Sequence, residues 1–96
     1  MGIEDLLRDK RDEILSIAAR HGASNVRIFG SVARGEATAQ SDVDFLVELE
    51  RGRSLLDHAA LMVDLEGLLG RRVDVATERG LRPRFREVIL REAVRL

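Results

Sequence analysis

The spacing of apolar positions changes period several times along the chain, and each change predicts an element. From Ile3 to about His21, the residues Ile3, Leu6, Leu7, Ile14, Ile17 and Ala18 fall on one stripe at helical spacing. They predict an amphipathic helix that Gly22 terminates and that covers a sheet. Asn25-Val26-Arg27-Ile28-Phe29 reads as a short β-strand running straight into Gly30-Ser31. From Asp42 to Glu50 the period is two: Val43, Phe45, Val47 and Leu49 share one face, and Asp42 and Asp44 share the other. Ser54 can cap a second helix, with Asp57 as its capping-box partner, and Gly70 closes that helix. Arg71 to Thr77 is a further strand, in which Val73 and Val75 face a core and Asp74 faces the opposite way. After a loop at Glu78-Arg79-Gly80, Pro83 lies near the start of a last helix expected to bury Phe85, Val88 and Ile89. The order α-β-β-α-β-α predicts a small α+β fold, a mixed sheet with helices packed on it, and residues 1–96 are read as one domain.

The second helix is more apolar than one sheet-facing stripe requires. Leu55, Leu56, Ala59, Ala60, Leu61, Met62, Val63, Leu65, Leu68 and Leu69 spread over most of its circumference. Packing by neighbouring helices is expected to cover the excess, and a partner-binding surface is the alternative. His21 and His58 read as a helix-end and a helix-surface residue.

Chemistry enters at two places. The strand that ends in Gly30-Ser31 presents small residues and free backbone N–H groups, a corner able to seat a triphosphate. On the next strand Asp42 and Asp44 point the same way, about 6.6 Å apart along the backbone. Carboxylates so placed repel each other unless a cation relieves them, and they can bridge metal ions about 3.5–4 Å apart. Hard oxygen donors suit Mg²⁺ or Mn²⁺, and the chain has no Cys to offer a thiolate. If the Asp74 strand pairs beside this one, three carboxylates converge where a hydroxyl could attack an α-phosphate in line. Taken singly, Gly30-Ser31 is also an ordinary turn and each Asp an ordinary polar position on a strand's wet face. The joint pattern is what points to nucleotide chemistry.

Gly30-Ser31-Val32-Ala33-Arg34-Gly35-Glu36 through Ser41-Asp42-Val43-Asp44-Phe45-Leu46-Val47, followed by the later Val-Asp-Val strand, resembles the signature of minimal nucleotidyltransferase (MNT) proteins of the DNA polymerase β superfamily. The resemblance runs from the leading helix to the closing Ile89-Leu90-Arg91-Glu92-Ala93-Val94. It implies a nucleotidyltransferase fold, with Asp42, Asp44 and Asp74 as catalytic and metal-binding acids for two Mg²⁺ ions. Gly30 and Ser31 would hold the nucleotide phosphates, and Arg34 would be a further phosphate contact. Many stand-alone MNT proteins are antitoxins paired with a HEPN-domain ribonuclease toxin, and some transfer AMP from ATP to a toxin tyrosine. That activity and partner are therefore the expectation here. A non-catalytic antitoxin that acts by occlusion, and nucleotidyl transfer to a small molecule or RNA, are the rival readings. The chain contains no Tyr, so a tyrosine acceptor must come from a partner.

Composition narrows the setting. No apolar run reaches the roughly 18 residues of a membrane span, no signal-peptide pattern is present, and cysteine is absent, which together suit a cytoplasmic protein. A formal net charge of −1 argues against general nucleic-acid binding. Charge is uneven, however: residues 71–96 carry eight Arg against four acids. Arg79, Arg82, Arg84 and Arg86 read either as a solvated face or as a patch that docks an acidic partner or steers ATP. The partner-surface reading of the second helix, which the resemblance supports, predicts a homo-oligomer or a heteromeric complex with the toxin.

Overall fold

The computed structural model of the chain describes residues 2–96. Helices α1 (Ile3–Asp9) and α2 (Arg11–Arg20) lead into strand β1 (Ala23–Phe29), a single helical turn α3 (Gly30–Ala33) and strand β2 (Val43–Leu49). Helix α4 (Leu55–Leu69), strand β3 (Val73–Thr77), helix α5 (Pro83–Glu92) and a short strand β4 (Val94–Arg95) complete the order. The sheet order is β3-β2-β1-β4. β2 and β3 run parallel, joined by the α4 crossover, while β1 is antiparallel to both β2 and β4. The α+β fold and the mixed sheet expected from sequence are present.

One face of the sheet carries the core. Ile14, Ile17 and Ala18 of α2 and Leu61, Leu65 and Leu69 of α4 pack on Val26, Ile28, Val43, Phe45, Val47, Val73 and Val75. Ser54 and Asp57 form the expected capping box, and Gly70 closes α4 in the left-handed conformation at φ +64°.

Four expectations are corrected. The leading helix breaks at Lys10. Six successive charged residues, Arg8 to Glu13, leave nothing apolar there to hold one straight helix against the core, so α1 turns to bury Leu7 separately. Asn25 adopts φ +49°, and the pairing slips between Ser24 and Arg27. This bulge, at a residue that tolerates the left-handed region, starts the strand at Ala23 and sends Val26 and Ile28 into the core. The last helix does not bury Phe85 or Val88: no residue of α5 is buried, and Arg84 lies over the Phe85 ring at 5.3 Å. Nor do neighbouring helices cover the apolar excess of α4, since Leu55, Leu56 and Val63 are 84%, 81% and 62% exposed.

Candidate active site

The strand register builds the site on the face of the sheet opposite the core. Phe29, the last residue of β1, pairs with Asp44, and Asp44 pairs with Asp74. Neighbouring strands lie about 4.8 Å apart, so Asp44 and Asp74 stand side by side, and Asp42 precedes Asp44 by two residues on the same alternation. The chain leaves β1 at Gly30 with φ +74°. A Cβ on Gly30 would lie 2.1 Å from Asp44 Oδ2, so only glycine lets the turn press against this carboxylate. Ser31 and Val32 continue as the α3 turn, in which the Arg34 N–H donates to Gly30 O at 3.1 Å.

The segment between α3 and Asp42 is tied down locally. The Thr38 N–H donates to Ser41 Oγ at 2.8 Å, Arg71 Nη2 donates to Thr38 O at 3.0 Å, and the Val43 N–H donates to Arg72 O at 3.0 Å. These bonds set Asp42 at the mouth of the strand pair.

Electrostatics report the convergence. Asp44 is pushed up from the ordinary carboxylate range to about 6, first by burial and then by the charges of Asp74 and Asp42. Arg34 opposes this shift and Glu92 adds to it. The other two expected acids, Gly30 and Arg34 are thus gathered around Asp44.

Arg34 is not a free cation. Its Nε donates to Glu36 at 2.6 Å and its Nη1 to Glu92 Oε1 at 2.9 Å. Glu92 Oε1 also accepts the Gly30 N–H at 2.7 Å. Glu92 has no local signal in the sequence beyond being an acid within an arginine-rich segment. Arg27 is a further unexpected member, which alternation aims at the acid-bearing face. Arg27 is mostly buried there, with Nη1 donating to Glu78 at 2.7 Å and Nε to Asn25 O at 3.0 Å. His58 is not a plain surface residue: its Nε2 lies 2.6 Å from Val75 O, fastening α4 to the strand that carries Asp74.

The donor set fits a hard divalent cation only in part. Among the described residues no three carboxylate or imidazole groups are close enough to hold an ion by themselves. Mg²⁺ commonly takes one or two carboxylates and completes its shell with water and substrate phosphates, and Asp44 with Asp42 or Asp74 supplies that much.

Residues 11–96 match the nucleotidyltransferase domain family. The chain belongs to this family. It is 40% identical over 92 residues to the protein adenylyltransferase MntA of Thermococcus cleftensis, covering 96% of this chain and 90% of that one. A Methanocaldococcus jannaschii protein assigned as a protein adenylyltransferase is 43% identical over 94 residues, covering 98% and 97%. A solved structure described as a minimal nucleotidyltransferase superposes with a TM-score of 0.88 at 61% identity, covering 100% of this chain and 97% of that one. The crystal structure of a toxin-antitoxin with AMP-PNP shares the fold, with a TM-score of 0.76 at 17% identity over 88% of this chain and 69% of that one. Within this minimal nucleotidyltransferase, no helix among the described residues is long and apolar enough to cross a membrane.

Proposed function

We propose that residues 1–96 act as one minimal nucleotidyltransferase domain that transfers AMP from ATP to a hydroxyl of a partner protein, a tyrosine of a HEPN ribonuclease toxin, in the cytoplasm. The observation that carries this reading is the register that sets Asp74 beside Asp44, with Gly30 in contact with Asp44. Support for a protein acceptor comes from the two relatives named as protein adenylyltransferases, and support for a toxin partner comes from the toxin-antitoxin neighbour.

Backbone N–H groups of Gly30 and Ser31, with Arg34, would hold the β and γ phosphates. Asp42 and Asp44 would bind Mg²⁺, two ions in the expected arrangement, with Mn²⁺ as a substitute and Asp74 sharing one of them. When bound, such ions neutralise the charge of the triphosphate and of the leaving pyrophosphate. Asp74 would accept the proton of the acceptor hydroxyl. The hydroxyl oxygen forms a bond to the α-phosphorus as the bond to the bridging oxygen of pyrophosphate breaks. Asp44, with its pKa near 6, is mostly ionised at neutral pH and available as a ligand.

The decisive experiment supplies α-labelled ATP to the protein together with its co-expressed partner. Label and one or more added AMP masses should appear on the partner and vanish with Asp44→Asn; undiminished transfer by that variant overturns the assignment. One observation favours a second reading, in which occlusion alone neutralises the partner: the apolar start of α4 stands exposed at Leu55 and Leu56. Neutralisation that survives simultaneous Asp42→Asn and Asp44→Asn would select it.

A further inference from the structure

We propose that Glu92 is an internal occupant of the phosphate seat, bound where the nucleotide's triphosphate must go and displaced when it arrives. The inference rests on the nucleotide site argued above and concerns what that site holds before nucleotide enters. Two of the donors assigned to phosphate, the Gly30 N–H and the Arg34 guanidinium, already serve an anion, and it is one oxygen of Glu92 that both of them meet, at 2.7 and 2.9 Å. The second arm of Arg34 is held by Glu36 at 2.6 Å. The Gly30 N–H has a single hydrogen and Glu92 holds it, so seating a phosphate on that donor requires Glu92 to leave.

The surroundings make that departure easy. Glu92 is the last residue of α5, where the negative end of the helix dipole disfavours a carboxylate. Its charge adds to those of Asp74 and Asp42 in raising Asp44. Arg34 is about half exposed and Glu92 19% exposed, so solvent weakens the pair from the Arg34 side. α5 buries none of its residues in the core. An incoming polyphosphate would offer the same two donors more charge and more oxygens.

The occupied seat lowers apparent nucleotide affinity by the fraction of molecules in which it is free. ATP binding should therefore be measured by calorimetry in buffer containing Mg²⁺, for the wild-type chain, Glu92→Gln and Glu92→Ala. Circular dichroism would show that each variant is folded. Both variants should bind ATP more tightly, by up to about tenfold. Hydrogen exchange of residues 83–92 in the wild-type chain should accelerate when ATP is added. If Glu92 instead positions Gly30 and Arg34 for the phosphates, removing it weakens binding. Unchanged or weaker affinity in either variant, or exchange that ATP leaves unaltered, overturns the proposal while the nucleotide site stands. Absence of ATP binding by all three proteins would overturn the nucleotide site and this inference together.

Discussion

Gly30 and Asp44 meet so closely that the smallest side chain on the glycine would lie 2.1 Å from the carboxylate oxygen. The Gly-Ser turn and the acidic strand are therefore one structural unit. The left-handed backbone at Gly30 is part of the fit.

Gly30→Ala should accordingly damage stability and binding together. Left-handed strain and the contact with Asp44 are expected to cost about 1–3 kcal/mol. Thermal denaturation and ATP titration on the same samples would test this. A variant with unaltered melting temperature and unaltered affinity would refute the close-packed geometry.

The raised pKa of Asp44 makes stability depend on pH in a defined direction. The folded state holds this proton to about pH 6, against an ordinary value of 3.8. Folding thus binds a proton between those values, and stability falls as pH rises through that window. Asp44→Asn removes the cost. Because Asp44 is half-buried and screened, the gain in metal-free buffer at pH 7.5 should be about 1 kcal/mol, fading below pH 4. Urea denaturation at the two pH values provides the comparison, and an equal difference at both would contradict the assignment.

Glu78→Ala should destabilise the fold although Glu78 lies outside the acid cluster. It leaves the Arg27 guanidinium, with a side chain only 11% exposed, without its 2.7 Å partner. Arg27 Nη2 already lacks a partner among the described residues. The expected loss is about 2 kcal/mol, or roughly 8–16 °C in melting temperature for a chain of this size. A shift within experimental error would mean that water replaces the carboxylate.

Leu56→Glu tests the exposed start of α4. Since Leu56 is 81% exposed, stability should change by no more than about 0.5 kcal/mol. Co-purification with the partner should drop sharply if this surface docks it. Retention of the complex at wild-type yield would move the docking site elsewhere.

Much of the fold was legible because its causes are local. Period-two alternation from Val43 to Leu49 placed Asp44 opposite the core face, and Ser54, Asp57 and Gly70 marked both ends of α4 through their own backbone bonds. The helix break at Lys10, the bulge at Asn25 and the β4 strand were not legible in this way. Each depends on a remote segment: Leu7 reaching the core, Val26 and Ile28 meeting it in register, and Val94-Arg95 finding the free edge of β1. The apolar pattern of α5 was read as burial, but an amphipathic helix needs a partner face, and this one has no core to meet.

By itself, then, the order of residues determined which side of its strand each acid would occupy, because alternation and capping act within a few positions. Tertiary structure alone decided that Asp74 stands beside Asp44, that Gly30 touches Asp44, and that Glu92 reaches across from the far end of the chain to the Gly30 N–H. Strand register and helix docking are settled by the packing of the whole core, and no short stretch of sequence contains that sum.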